Sequence, residues 1–132
     1  MKYLLDTHIL LWMLFDPDKL SKKVRNILED DHNELFVSVV SLWEISLKYQ
    51  LKKLIISDVL PEAIIPAIKE SDINIKELSE ESAISFYKLG KRGNRDPFER
   101  MIIWESIRNN YVLLSKDSNL EEYRKYGLEY TF

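Results

Sequence analysis

A chain of 132 residues with 45% hydrophobic and 31% charged residues has the size and balance of one compact globular domain, which excludes a disordered or low-complexity chain. Its formal net charge of −3 excludes the broadly basic surface of a protein that coats nucleic acid, and the lack of cysteine excludes disulfides and thiolate metal sites, so any metal must be held by oxygen or imidazole. No apolar run approaches the roughly 20 residues that span a bilayer, and the opening Met1-Lys2-Tyr3-Leu4-Leu5-Asp6 lacks a basic leader, apolar stretch and cleavage site, so no export signal and a cytoplasmic location are expected.

Lys2 to Asp6 reads as a short buried strand, followed by an apolar helix from His8 to Phe15 that is expected to be buried in the core or against another chain. Asp16-Pro17-Asp18 signals a turn, and Ser21 caps a polar helix running to Glu29. Asp30, Asp31, His32 and Asn33 form a loop; the first three resemble a metal cluster, but their polar setting reads as a solvated turn. Leu35 to Val40 is the second strand, and Ser41 opens a helix to Leu54 with Trp43, Leu47, Leu51 and Leu54 on one stripe. A third helix spans Asp58 to Glu70 with a bend near Pro66.

Ile73 to Leu78 reads as a short strand, and Ser79 starts a helix that ends at Gly90. Lys91 to Arg95 is the most loop-like stretch, Asp96-Pro97 opens a helix to Arg108, and Tyr111 to Ser115 is a clear strand. A short helix from Asn119 to Tyr126 and an edge strand from Leu128 to Phe132 complete the chain. Strands separated by helices predict an α/β fold, with a parallel sheet covered on both faces.

Acidic residues recur where strand-like runs give way to loop or helix: Asp6, Glu44, Asp96 with Glu99, and Asp117. In a parallel sheet such junctions converge on the carboxyl edge, where ligands bind. Each acid also has a local use. Ser41-Leu42-Trp43-Glu44 reads as a capping box, Asp96-Pro97-Phe98-Glu99 as a helix start, and Asp6 and Asp117 as cap or turn residues. Gathered at one edge, however, the carboxylates would repel each other unless a cation stood among them, and hard oxygen donors select magnesium or manganese. Lys88, Lys91, Arg92, Arg95 and Arg100 crowd the segment around Asp96, and Lys48, Lys52 and Lys53 end the helix that carries Glu44. An acidic centre ringed by basic segments suits a polyanionic substrate.

Four runs in order, Leu4-Leu5-Asp6-Thr7-His8, Ser38-Val39-Val40-Ser41-Leu42-Trp43-Glu44-Ile45, Arg95-Asp96-Pro97-Phe98-Glu99-Arg100 and Leu114-Ser115-Lys116-Asp117, make essentially the whole chain resemble PIN-domain ribonucleases. More narrowly, it resembles the VapC-type toxins of bacterial toxin-antitoxin pairs. The resemblance implies a three-layer α/β/α fold around a parallel sheet, magnesium or manganese dependence, RNA cleavage leaving 5′-phosphate and 3′-hydroxyl ends, and inhibition by a cognate antitoxin. Asp6, Glu44 and Asp117 match the family's acids directly. At the remaining position both Asp96 and Glu99 are available, where the related subgroup has aspartate twice. Bound cations would activate a water for in-line displacement, with no need for a histidine base or serine nucleophile. Arg95 and Arg100 are the expected phosphate contacts, and Thr7, Ser38 and Ser115 are expected to orient ligands or metal waters. His8 is expected to serve the first helix structurally. Trp12, Trp43 and Trp104 read as core or interface anchors that, with the apolar first helix, point to a homodimer or a groove for a partner helix. Rival readings are a housekeeping PIN nuclease, a phospho-receiver domain, which would need an adjacent acidic pair where Asp6-Thr7 stands, and an interaction module without metals.

Overall fold

Alternation along the strands divides the core in two. In β1 (Lys2–Leu5) Tyr3 and Leu5 join one hydrophobic cluster and Leu4 the other, and in β4 (Val112–Leu114) Leu114 and Leu113 separate the same way. Side chains of successive strand residues point to opposite faces, so such runs bury both faces and require helices on each. The helices are α1 (Thr7–Phe15), α2 (Lys22–Glu29), α3 (Val39–Gln50), α4 (Ile64–Glu70), α5 (Glu80–Ser85) and α6 (Pro97–Asn109), alternating with the remaining strands β2 (Glu34–Ser38), β3 (Asn74–Lys76) and β5 (Glu129–Thr131). The structure, a computed structural model, describes residues 1–54, 56, 58–90 and 96–132. The expected loop at Lys91 to Arg95 lies outside those residues.

All strand pairs are parallel, in the order β3-β2-β1-β4-β5, and the result is the expected three-layer α/β/α architecture. The order reverses between β1 and β4, so the crevice beyond their carboxyl ends is the place such a sheet offers to a ligand. A phospho-receiver of the flavodoxin-like type has the order 2-1-3-4-5 instead, which removes that rival on topology. Among the described residues no helix is long and apolar enough to cross a membrane.

Several boundaries differ from the sequence expectation. β2 stops at Ser38, and α3 starts at Val39 with Ser38 as its N-cap, because the Ser38 hydroxyl accepts from the Val40 amide at 3.0 Å. Glu44 is therefore inside the helix and does not form the capping box expected with Ser41. The helix expected from Asp58 to Glu70 reduces to a 3-10 turn, Pro61–Ala63, and α4; Pro66 lies in the first turn of α4, where a missing N–H costs nothing and no bend is needed. The Asn119 to Tyr126 helix is a 3-10 helix, Glu121–Tyr126. Only Thr7, Ile9 and Leu10 of α1 are buried, Leu11 to Leu14 are half-buried and Phe15 is exposed, so the apolar helix is not covered all round.

After α5 the chain continues through a 3-10 turn, Phe86–Leu89, and ends on Gly90 at φ 74°, ψ 170°. A side chain there would be strained by the backbone, and a Cβ would meet the Tyr126 hydroxyl at 2.7 Å. Gly90→Ala is expected to lower stability by about 1–3 kcal/mol. Urea unfolding checks this as a lower midpoint at unchanged slope.

Candidate active site

β1 delivers Asp6 to the crevice. Its backbone N–H continues the sheet to Leu114 O at 3.0 Å, and its side chain caps α1, with Oδ1 accepting from the Thr7 amide at 2.7 Å. A carboxylate is a favourable cap at a helix N-terminus, so the start of α1 fixes the orientation of the Asp6 side chain. Oδ2 accepts from the Ser115 hydroxyl at 2.8 Å, across a sequence separation of 109 residues. Ser115 follows β4 and is itself buried; its oxygen also accepts from the Asp117 amide at 3.1 Å. Asp117 sits just beyond, half-buried, and its Oδ1 accepts from the Asn119 amide at 2.9 Å, which fixes the turn.

From the other side, α3 presents Ser41, Glu44 and Lys48 on one face, as spacings of three and four residues require. Glu44 is only 3% exposed. Thr7, the first residue of α1, places its hydroxyl 2.6 Å from Glu44 Oε1 and 2.9 Å from the Ser41 hydroxyl, so it donates to the carboxylate. Lys48 donates to Glu44 Oε2 and lies 3.8 Å from Asp96 Oδ2. Asp96 is the N-cap of α6, with Oδ1 accepting from the Phe98 amide at 2.7 Å and Pro97 at the first helical position. One connected set of bonds thus runs from Asp117 through Ser115, Asp6, Thr7, Glu44 and Lys48 to Asp96.

Asp6, Thr7, His8, Glu44, Lys48, Lys53 and Glu99 line a pocket of about 220 Å³. Its electrostatics are mixed. Burial works against the charged form of Lys48, but the bond to Glu44 and the charges of Glu44, Asp96 and Glu99 outweigh it and hold the ammonium above the ordinary lysine range. The Lys116 amide donates to His8 Nε2 at 3.0 Å, which leaves the ring proton of a neutral imidazole on Nδ1, 3.5 Å from Asp6 Oδ2. His8 thus ties α1 to the segment after β4, in keeping with a structural role.

Of the acids singled out in the sequence, Asp6, Glu44 and Glu99 share the pocket, Asp96 reaches it through Lys48, and Asp117 is tied to Ser115 by its backbone amide, its carboxylate capping the turn at Asn119. Among the described residues no three histidine, aspartate or glutamate side chains close into a coordination shell. The donor chemistry nevertheless fits a hard cation: magnesium is commonly bound through one or two carboxylates and keeps several waters. The ammonium of Lys48 already marks where positive charge settles.

One expected site role is corrected. Ser38 is fully buried, capping α3 and donating to Glu105 Oε1 at 2.6 Å, so it faces the core and no ligand can reach it. Arg100 donates to the Gly90 carbonyl and stacks over Phe86 at 4.9 Å, and the pocket is lined without it. Arg95 lies outside the described residues. Asp30 accepts from the His32 amide at 2.9 Å in an exposed turn; that bond holds its carboxyl below the usual range, as expected of a solvated turn. Trp104 is buried and Trp12 half-buried, whereas Trp43 is 65% exposed with its ring edge against Phe98.

Sequence reasoning missed Lys48 as a partner of the acids, and missed Ser41 and Glu105. The four-residue step from Glu44 to Lys48 was the available signal, because glutamate before lysine at that spacing is the favoured helical ion pair. Glu105 stood out only as an acid following the apolar run Met101-Ile102-Ile103-Trp104.

No curated protein sequence matches the chain. Among solved structures, VapBC2 from Rickettsia felis, bound to a DNA fragment from its promoter, contains a chain with TM-score 0.65 and 19% identity, the match covering 99% of this chain and 98% of that one. VapBC-1 from nontypeable Haemophilus influenzae gives 0.63 and 21%, covering 99% and 97%. DNA-bound VapBC from Salmonella typhimurium gives 0.62 and 17% with the same coverage. At these identities the likeness concerns the fold. The sequence model of the PIN domain matches residues 3–126, nearly the whole length, and the chain belongs to the PIN domain family.

Proposed function

We propose that the protein is a metal-dependent endoribonuclease, one PIN-like nuclease domain over residues 1–132, acting in the cytoplasm as the toxin of a type II toxin-antitoxin pair. The observation that carries this reading is the set of buried and half-buried contacts that holds Asp6, Glu44, Asp96 and the Ser115–Asp117 segment around the crevice between β1 and β4. Stability alone does not ask for such a cluster, since gathering carboxylates costs free energy that a bound cation recovers. Likeness in fold to chains of VapBC structures supports an antitoxin as the protein partner.

Asp6, Glu44 and Glu99 face the pocket and would hold magnesium or manganese there, with Asp96 and Asp117 as further carboxylates of the set. When bound, the metal supplies an activated water and neutralises charge on the attacked phosphate. Thr7 and Ser115 keep Glu44 and Asp6 in place by donating to them, so the oxygens are oriented before substrate arrives. Lys53, on the pocket wall, is placed to attract the RNA backbone, in the role expected of Arg95 and Arg100.

Incubation with a panel of structured RNAs is the test. Cleavage is expected with magnesium or manganese, none with EDTA, and Asp117→Asn and Glu99→Gln are each expected to lose activity without unfolding. Asp96→Asn is expected to lose less, because Oδ1 serves as the cap to Phe98, which the amide oxygen keeps, and Oδ2 faces the Lys48 ammonium. Full activity in EDTA would overturn the metal reading. A neighbouring antitoxin reading frame, with growth arrest on expression of the protein alone, separates a toxin from a housekeeping nuclease.

A further inference from the structure

We infer that Lys48 is a positioning residue that serves as a resident cation between Glu44 and Asp96 and thereby limits the site to one divalent metal ion. The inference rests on the proposed metal-dependent reading and adds to it the number of ions and the residue that sets it. Three observations carry it. Both oxygens of buried Glu44 are engaged, Oε1 by the Thr7 hydroxyl and Oε2 by Lys48, so the carboxyl group is oriented before any metal arrives. The same ammonium stands 3.8 Å from Asp96 Oδ2, which brings together carboxylates from α3 and α6 that would otherwise repel. Its charge is also felt by Glu99 on the pocket wall.

Paired-metal sites set their two ions roughly 3.5–4 Å apart, bridged by shared carboxylates. The space between Glu44 and Asp96 is where a second ion would find such a bridge, and an ammonium already occupies it. A lysine there supplies one permanent positive charge that neither chelators nor metal scarcity remove. The other side of the pocket, at Asp6, stays available to the single divalent ion.

Calorimetric titration of the protein with manganese, with bound ions counted independently by the loss of the free-ion paramagnetic signal, tests the inference. Wild type is expected to take up one ion. Lys48→Met and Lys48→Gln, the second retaining a hydrogen-bond donor to Glu44, are expected to take up two, the first at least roughly tenfold more tightly as a repelling charge is removed. Lys48→Arg should restore wild-type behaviour. One ion on Lys48→Met and Lys48→Gln would overturn the role of Lys48 and leave the nuclease reading standing, as would two ions on wild type. No uptake by wild type would overturn both.

Discussion

Replacing Asp6 by asparagine is expected to lower RNA cleavage by roughly a thousandfold while the protein stays folded. Asparagine is nearly isosteric, and its carbonyl still accepts from the Thr7 amide, so α1 keeps its cap. The amide nitrogen then faces Ser115, whose hydroxyl turns to accept, and the cost is about one hydrogen bond, roughly 1–2 kcal/mol. Lost altogether is the negative charge at the crevice, and with it the hard ligand for a divalent ion. Single-turnover cleavage of a labelled RNA, with circular dichroism as the control for folding, measures both parts. Activity within a few fold of wild type would remove Asp6 from the chemistry.

Asp6 was legible in the sequence because its position depends on local rules alone. A buried strand, an acid and an apolar helix place a carboxylate at a βα junction wherever the strand lies in the sheet. Asp96 with Pro97 was legible for the same reason, and the cap to Phe98 is as expected. Glu44 was found for a partly wrong reason. Its carboxylate reaches the site from the second turn of α3 and not from a helix start, because Ser38, and not Ser41, accepts the first free amide. What a single sequence hides is the pairing across elements: Ser115 with Asp6 is separated by 109 residues and Ser38 with Glu105 by 67. Those partners are chosen by sheet order, and the order β3-β2-β1-β4-β5 is not written in any local pattern. The misreading of Ser38 as a substrate contact follows directly, since a serine at the end of a strand looks the same whether it faces the crevice or the core.

Glu105 gives the second large effect. It lies on α6, fully buried, with Oε1 accepting from Ser38 and Oε2 lacking a hydrogen-bond partner among the described residues. Burial pushes its carboxyl up to about 7, and the Ser38 hydroxyl and the charge of Lys76 on β3 only partly oppose this. Tyr111 feels the same carboxylate, which helps to hold its phenol above the usual range after burial has raised it. Below pH 4.5, its ordinary value, the group is neutral in both folded and unfolded chains and has no effect on stability relative to a neutral isostere. Between 4.5 and about 7 the folded chain binds the extra proton, so stability falls as pH rises through this window. Above it the group is ionised in both states, and the penalty is complete at about 3 kcal/mol. Glu105→Gln keeps an acceptor for Ser38 and mimics the protonated acid. The variant is expected to match wild type near pH 4.5 and to be more stable by about 2–3 kcal/mol at pH 8. Urea midpoints of the two proteins across that range give the difference directly, and parallel curves would mean that the buried carboxyl titrates as an ordinary surface acid.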